Sequence, residues 1–126
     1  MDTINFSDFE KVDIRIGTVI KAEVPTWSHW VMKLEIELGE EIGKKICFSG
    51  IMKFFKPEDL VGKQFPFVVN LEPRKIGPDK EMSEAMMIMA TPMPVATAGE
   101  AVVSEEDVPT VLFKLQKKVP NGTKVR

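Results

Sequence analysis

Histidine and cysteine are nearly missing from this chain: His29 and Cys47 are the only ones in 126 residues. A lone cysteine excludes an intramolecular disulfide and makes a reducing compartment the simpler setting. One histidine and one cysteine cannot form a histidine-rich metal site, a histidine pair or a zinc cluster within one chain. No run approaches the ~18 apolar residues of a membrane span. The first residues, MDTINFSDFEKVDIR, lack the charged-then-apolar layout of a secretion signal. A cytoplasmic protein without membrane insertion is therefore expected, and the sequons at Asn5 and Asn121 are set aside. An excess of positive charge is missing too. Seventeen basic and nineteen acidic residues give −2, which argues against coating nucleic acid by bulk charge and leaves room only for a local basic face. The stretch GEEIGKK, residues 39–45, is one residue short of a phosphate loop and lacks its Ser/Thr. Paired acids at Glu40-Glu41 and Glu105-Glu106 fit solvated turns. No catalytic centre, cofactor or metal site is expected. There is no internal repeat, linker or low-complexity tract.

What is present suits one domain spanning residues 1–126, long enough to bury a core without staples. Ser7 or Asp8 offers an N-cap for a single helical turn. Val12, Ile14 and Ile16 alternate with polar residues as a first strand, and Gly17 marks a bulge or bend from which residues 18–22 continue on a new heading. Met32, Leu34, Ile36 and Leu38 alternate with Lys33, Glu35 and Glu37, the period of a half-buried strand. A short acidic turn leads to a third strand over residues 44–49, read with Ile46 and Phe48 on the core face and Lys45, Cys47 and Ser49 on the other. Pro57-Glu58-Asp59-Leu60 reads as one helical turn, with proline first and acids at the positive end of its dipole.

Residues 65–90 hold two apolar runs around a polar loop carrying Arg74, Lys75 and Lys80. The first run alternates as a strand, and Pro66 predicts an exposed edge near its start. The second is apolar on both parities, which predicts cover on both faces. Residues 101–103 and 110–115 are expected to form a last hairpin, followed by a tail with basic residues and no acidic one. The order β-β-β-α-β-β is that of an all-β OB-fold, a five-stranded Greek-key barrel with a short helix between strands three and four. On this reading the barrel occupies residues from about 10 to 92 and a C-terminal β extension those from about 93 to 126.

Phe48, Phe65 and Phe67 are expected in the core, with Cys47 a buried inert thiol. Trp27 and Trp30 lie in a polar loop, where an exposed indole marks an interaction site. Methionines crowd residues 82–93, as core filler or as a soft, repacking surface.

Phe9-Glu10-Lys11-Val12-Asp13-Ile14-Arg15-Ile16-Gly17 resembles the opening of the tRNA-binding domain family. In register follow Lys33-Leu34-Glu35-Ile36, Ser49-Gly50-Ile51, Val68-Val69-Asn70-Leu71 with Pro73-Arg74-Lys75, and Ser83-Glu84 with Met86. Ile76-Gly77-Pro78 and Val119-Pro120-Asn121-Gly122 are most like the branch of CsaA-type export chaperones and free-standing tRNA-binding proteins. The resemblance implies an OB-fold homodimer that binds tRNA or other structured RNA without catalysis. It carries surface roles onto Ser49, Gly50, Asn70, Arg74, Lys75, Ser83 and Met86, with Lys33, Lys44, Lys45 and Lys53 tracking the backbone. The alternative is a CsaA-like chaperone holding unfolded or exported polypeptides through Trp27, Trp30, Phe48, Phe67 and Met86. An aminoacyl-tRNA synthetase is a further possible partner. The chain departs from the family pattern at Ser28-His29-Trp30-Val31, at Glu72 and at Ala85, each departure lowering positive charge or close backbone approach.

Overall fold

The computed structural model describes residues 1–92 and 109–126. Its centre is β1 (Ile14–Glu23), a ten-residue strand that serves two halves of a nearly closed antiparallel barrel. The first part of β1 pairs with β4 (Gln64–Val68) and its second part with β2 (Met32–Glu37). β2 pairs with β3 (Lys44–Ser49), and β4 pairs with β7 (Met86–Met87), giving the order β3-β2-β1-β4-β7. The short α2 (Pro57–Leu60) joins β3 to β4, with Lys56 N–H capped by the Asp59 carboxylate at 2.8 Å. The all-β OB-type barrel expected from the sequence is the fold observed.

One strand can cross both halves only if it lies close to its neighbours where it bends. A Cβ on Gly17 would stand 2.6 Å from both Ile36 Cγ2 and Leu38 Cδ2, so any side chain there would drive β1 off the core. The register irregularity itself falls between Val19 and Lys21, a few residues past the glycine. Val19, Met32, Leu34, Ile36, Leu38, Phe65, Phe67 and Met87 fill the barrel.

Several expectations are corrected. Asn5, not Ser7 or Asp8, caps α1 (Phe6–Glu10); its Oδ1 accepts from the Asp8 N–H at 2.9 Å. In β3 the two faces are exchanged. Leu34 opposes Cys47 and Met32 opposes Ser49, so Cys47 and Ser49 point into the core while Ile46 and Phe48 lie on the outer face. Phe48 is thus no core residue, whereas Phe65 and Phe67 are. Pro66 is buried in an interior strand. It opposes Ile16, whose N–H and C=O bond to Thr123 O and Gly122 N, so no ladder bond is asked of the proline nitrogen. The run before Ala90 is not covered on both faces: Met87 is buried but Met86 is 49% exposed. That run breaks at Ile88, and β8 (Met89–Ala90) pairs with β9 (Val111–Leu112). Residues 101–103, expected opposite 110–115, lie outside the described residues.

The tail returns to the barrel. Gln64 receives the Val119 N–H and donates to Val119 O and Asn121 Oδ1. β10 (Lys124–Val125) then pairs with the start of β1. Arg15 ties three segments together: its guanidinium lies 2.7 Å from Asp13, 3.1 Å from Glu41 and 3.1 Å from Gly122 O. Those bonds to the two carboxylates hold its pKa above the ordinary value.

Candidate nucleic-acid interface

The polar loop read in the sequence is a small hairpin, β5 (Arg74–Ile76) against β6 (Glu81–Ser83). Pro73 sits just before it, and Gly77 and Lys80 adopt positive φ in its turn. Gly77 is needed twice over, because a Cβ there would also enter the Trp27 ring. Opposed residues share a face, so Arg74 lies with Ser83 and Lys75 with Met82 on the opposite face. Arg74 and Lys75, expected to act together, therefore present to different sides.

The hairpin is fastened to the barrel at three places. The Lys33 ammonium lies 2.9 Å from Glu81 and 3.9 Å from Glu23. Its pKa is raised, first by the hydrogen bond to Glu81, so this lysine is charged and already paired. Trp27 packs on Phe48 with ring centroids 6.2 Å apart and also lies against Gly77. Third, the Phe48 N–H donates to Ser83 Oγ at 3.1 Å. Beside it the Ile46 N–H donates to Glu84 Oε1 at 3.1 Å and the Glu84 N–H to Ile46 O at 2.7 Å. These bonds close the barrel between β3 and the segment before β7.

Between the hairpin and the barrel runs a groove of about 380 Å³. Phe48, Leu71, Ala85 and Met86 supply its apolar surface, with Arg74 and Glu72 as its charged residues. Arg74 forms no ion pair among the described residues and is exposed. Ala85, where the family pattern has glycine, is largely buried and presents its methyl in the groove wall. A second depression of about 320 Å³, lined by Gly50, Met86, Ile88, Met89 and Thr91, begins on the other side of Phe48.

The aromatic loop borders this surface. Ser28 Oγ accepts the N–H groups of Trp30 and Val31 at 3.1 and 2.8 Å, a local turn that fixes both indoles. Trp30 is 40% exposed, lies against Gly50, and carries the Lys53 ammonium 5.9 Å from its ring centroid.

Not every expected residue faces outward. Ser49 is 4% exposed, with a hydroxyl that has no partner among the described residues. Phe67 is fully buried and cannot line a peptide groove. Asn70 is exposed, but its Oδ1 accepts from Asp13 N–H at 2.9 Å and its Nδ2 donates to Lys11 O at 2.6 Å, anchoring the approach to β1. Lys44 and Lys45 sit at the far end of β3, opposite Glu37 and Ile36, and do not line the groove. Leu71 and Glu81 were not singled out from the sequence. The sequence marks Leu71 only as the last apolar position of the alternating run 65–71, and Glu81 required the hairpin register.

The chemistry of the thiol agrees with expectation. Burial pushes the Cys47 pKa up to about 11, against a backbone hydrogen bond with Met87 that acts the other way, so the thiol is neutral and inert at physiological pH. No group of three or more potential metal ligands exists among the described residues. No helix there is long and apolar enough to cross a membrane.

Comparison with known proteins identifies the architecture. Residues 14–124 match the model of the putative tRNA-binding domain. The chain is 35% identical over 127 residues to a methionine–tRNA ligase of Methanocaldococcus jannaschii; the match takes in 100% of this chain but only 17% of that relative's length. Among solved structures, a MetRS-related protein from Pyrococcus horikoshii superposes with a TM-score of 0.81 at 29% identity, covering 100% of both chains. The CsaA chaperone of Bacillus anthracis superposes with a TM-score of 0.75 at 34% identity, covering 99% of this chain and 100% of that one. With the barrel, the clamped hairpin and a match over nearly all its length, the chain belongs to the tRNA-binding domain family.

Proposed function

We propose that the chain is a non-catalytic, cytoplasmic module that binds structured RNA, tRNA foremost, through the groove between the β5–β6 hairpin and Phe48. The observation that carries this reading is the exposed Arg74 guanidinium, without an ion pair among the described residues, on a hairpin held rigid by Trp27 and Ser83. A planar guanidinium can fork onto phosphate or stack on a base, and Phe48 and Met86 offer an apolar bed for an unstacked base. Glu72 in the same groove favours the amino edge of a base over a phosphate there, which directs the backbone toward the Trp30 side near Lys53. Gly50 keeps the rim low beneath Trp30. Asn70 and Ser83 act as supports beside this surface through their bonds to the backbone. Lys33, paired with Glu81, positions the hairpin.

The chain acts as a homodimer on this proposal, and the exposed Val111 of β9 and Phe113 just after it support an apolar contact between copies. Association with a methionine–tRNA ligase, the kind of relative the chain matches, is part of the same reading. The test is tRNA binding by the whole chain and by Arg74→Ala. A several-fold weaker complex is expected for the variant with its fold intact, and equal affinity would remove Arg74 from the site.

One observation favours a second reading. Leu71 and Met86, 48% and 49% exposed, flank Phe48 with Trp27 behind it, a surface suited to apolar side chains of an unfolded or exported polypeptide. Suppression of a client's aggregation, relieved by excess tRNA, would place both ligands on one surface.

A further inference from the structure

A second groove, of about 400 Å³, lies along the start of β4, walled by residues 62–65 on one side and 114–118 on the other. Lys63, Lys114, Lys117 and Lys118 line it, and none of its lining residues is acidic. All four lysines are exposed, and none forms an ion pair among the described residues. That is unusual on a chain whose net charge is −2. The lysines of the tail are also held in place. Upstream, β9 is bonded to β8; downstream, Val119 and Asn121 are bonded to the Gln64 amide, whose partner Asn121 also receives the Thr18 hydroxyl at 2.7 Å. The strap over residues 113–118 is therefore pinned at both ends, and its three lysines stand across from Lys63.

We infer that this groove is a second phosphate-binding track that takes the sugar–phosphate backbone of the RNA at a distance from the hairpin. Concentrated, unpaired ammonium groups attract a polyanion, and pinning the strap beforehand lowers the ordering cost of binding it. The two surfaces sit at opposite ends of β4. Gln64 opens the strand at the lysine groove, and Val68 closes it opposite Met86 of the hairpin groove. Four residues of strand span about 13 Å, so the lysines take phosphates outside the hairpin groove. A bound RNA must accordingly be long enough to span the barrel, which favours a folded RNA over a nucleotide.

This inference rests on the RNA-binding reading, and the experiment separates the two. The full chain and its Lys117→Ala/Lys118→Ala and Lys117→Arg/Lys118→Arg variants are titrated with tRNA across a salt series, beside Arg74→Ala. The double alanine variant is expected to lower the slope of log K against log salt by about 1.4 to 1.8, at about 0.7 to 0.9 per phosphate contact, and the arginine pair to restore it. An unchanged slope in the alanine variant, with Arg74→Ala still weakened, overturns the second track and leaves the hairpin site standing. Absence of tRNA binding by the unaltered chain overturns both. Inorganic tripolyphosphate titrated into isotope-labelled protein supplies an independent readout. Shifts of the Lys63, Lys117 and Lys118 amides are expected, and shifts confined to Arg74 and Lys75 contradict the inference.

Discussion

The Phe48 N–H donates to Ser83 Oγ at 3.1 Å, and across this bond the third strand meets the segment that leads into β7. Together with the Ile46–Glu84 bonds, this short side chain closes the barrel and fixes the hairpin that carries Arg74, whose cross-strand partner is Ser83 itself. Support and candidate ligand thus sit on opposed residues of one two-stranded ribbon.

Ser83→Ala strands the half-buried Phe48 N–H and weakens the closure, leaving the Ile46–Glu84 bonds to hold it. A loss of about 1–3 kcal/mol in urea unfolding is expected, and tRNA affinity should fall through loosening of the hairpin. Ser83→Thr, which keeps the hydroxyl, should recover most of both. A stability equal to the parent in the alanine variant would show that the closure bond carries little.

Gly77→Val meets two obstacles at once: φ near +77° and the Trp27 ring. The backbone conformation alone costs roughly 1–2 kcal/mol for a side chain that disfavours it. Displacement of Trp27 should appear as a shift in its fluorescence, and Arg74 should lose its fixed position. Unchanged emission would argue that the indole does not rest on the turn.

Stability should fall at alkaline pH because of Cys47. Its thiol is raised to about 11 in the folded chain against 9.0 as the ordinary value. Between these values the unfolded chain loses the proton while the folded chain keeps it. The contribution is thus fully present below pH 9 and declines as pH rises, at up to about 1.4 kcal/mol per pH unit. In Cys47→Ala this part of the decline should vanish. An identical pH profile in both proteins would contradict the burial of the thiol.

Much of the barrel was legible because its strands alternate strictly. The bounds of β3 and of the helix at Pro57 follow from residues 44–49 and 57–60 as read. Period two, however, reveals that a strand has two faces and not which one is inside. Ile46 and Phe48 are the more apolar pair, yet the register with Leu34 and Met32 turns Cys47 and Ser49 inward and frees Phe48 for the groove. The hairpin was read as a loop because strands of three residues are too short for periodicity to register. Pro66 misled for a related reason: the register sets its missing donor away from β1, and the opposed Ile16 finds its partners in the tail, distant in sequence. At the groove, the availability of the polar groups was not legible. Asn70 and Ser83 carry the expected polar groups, but whether those groups face a ligand or the chain's own backbone depends on long-range contacts.

The most direct measurement is the salt dependence of tRNA binding by the unaltered chain and by Arg74→Ala. A steep negative log–log slope is expected, reduced by about 0.7 to 0.9 in the variant if the guanidinium meets a phosphate. If it stacks on a base instead, affinity falls with the slope unchanged. A flat response in the unaltered chain, or equal affinity and slope in both proteins, would contradict an RNA site at the hairpin.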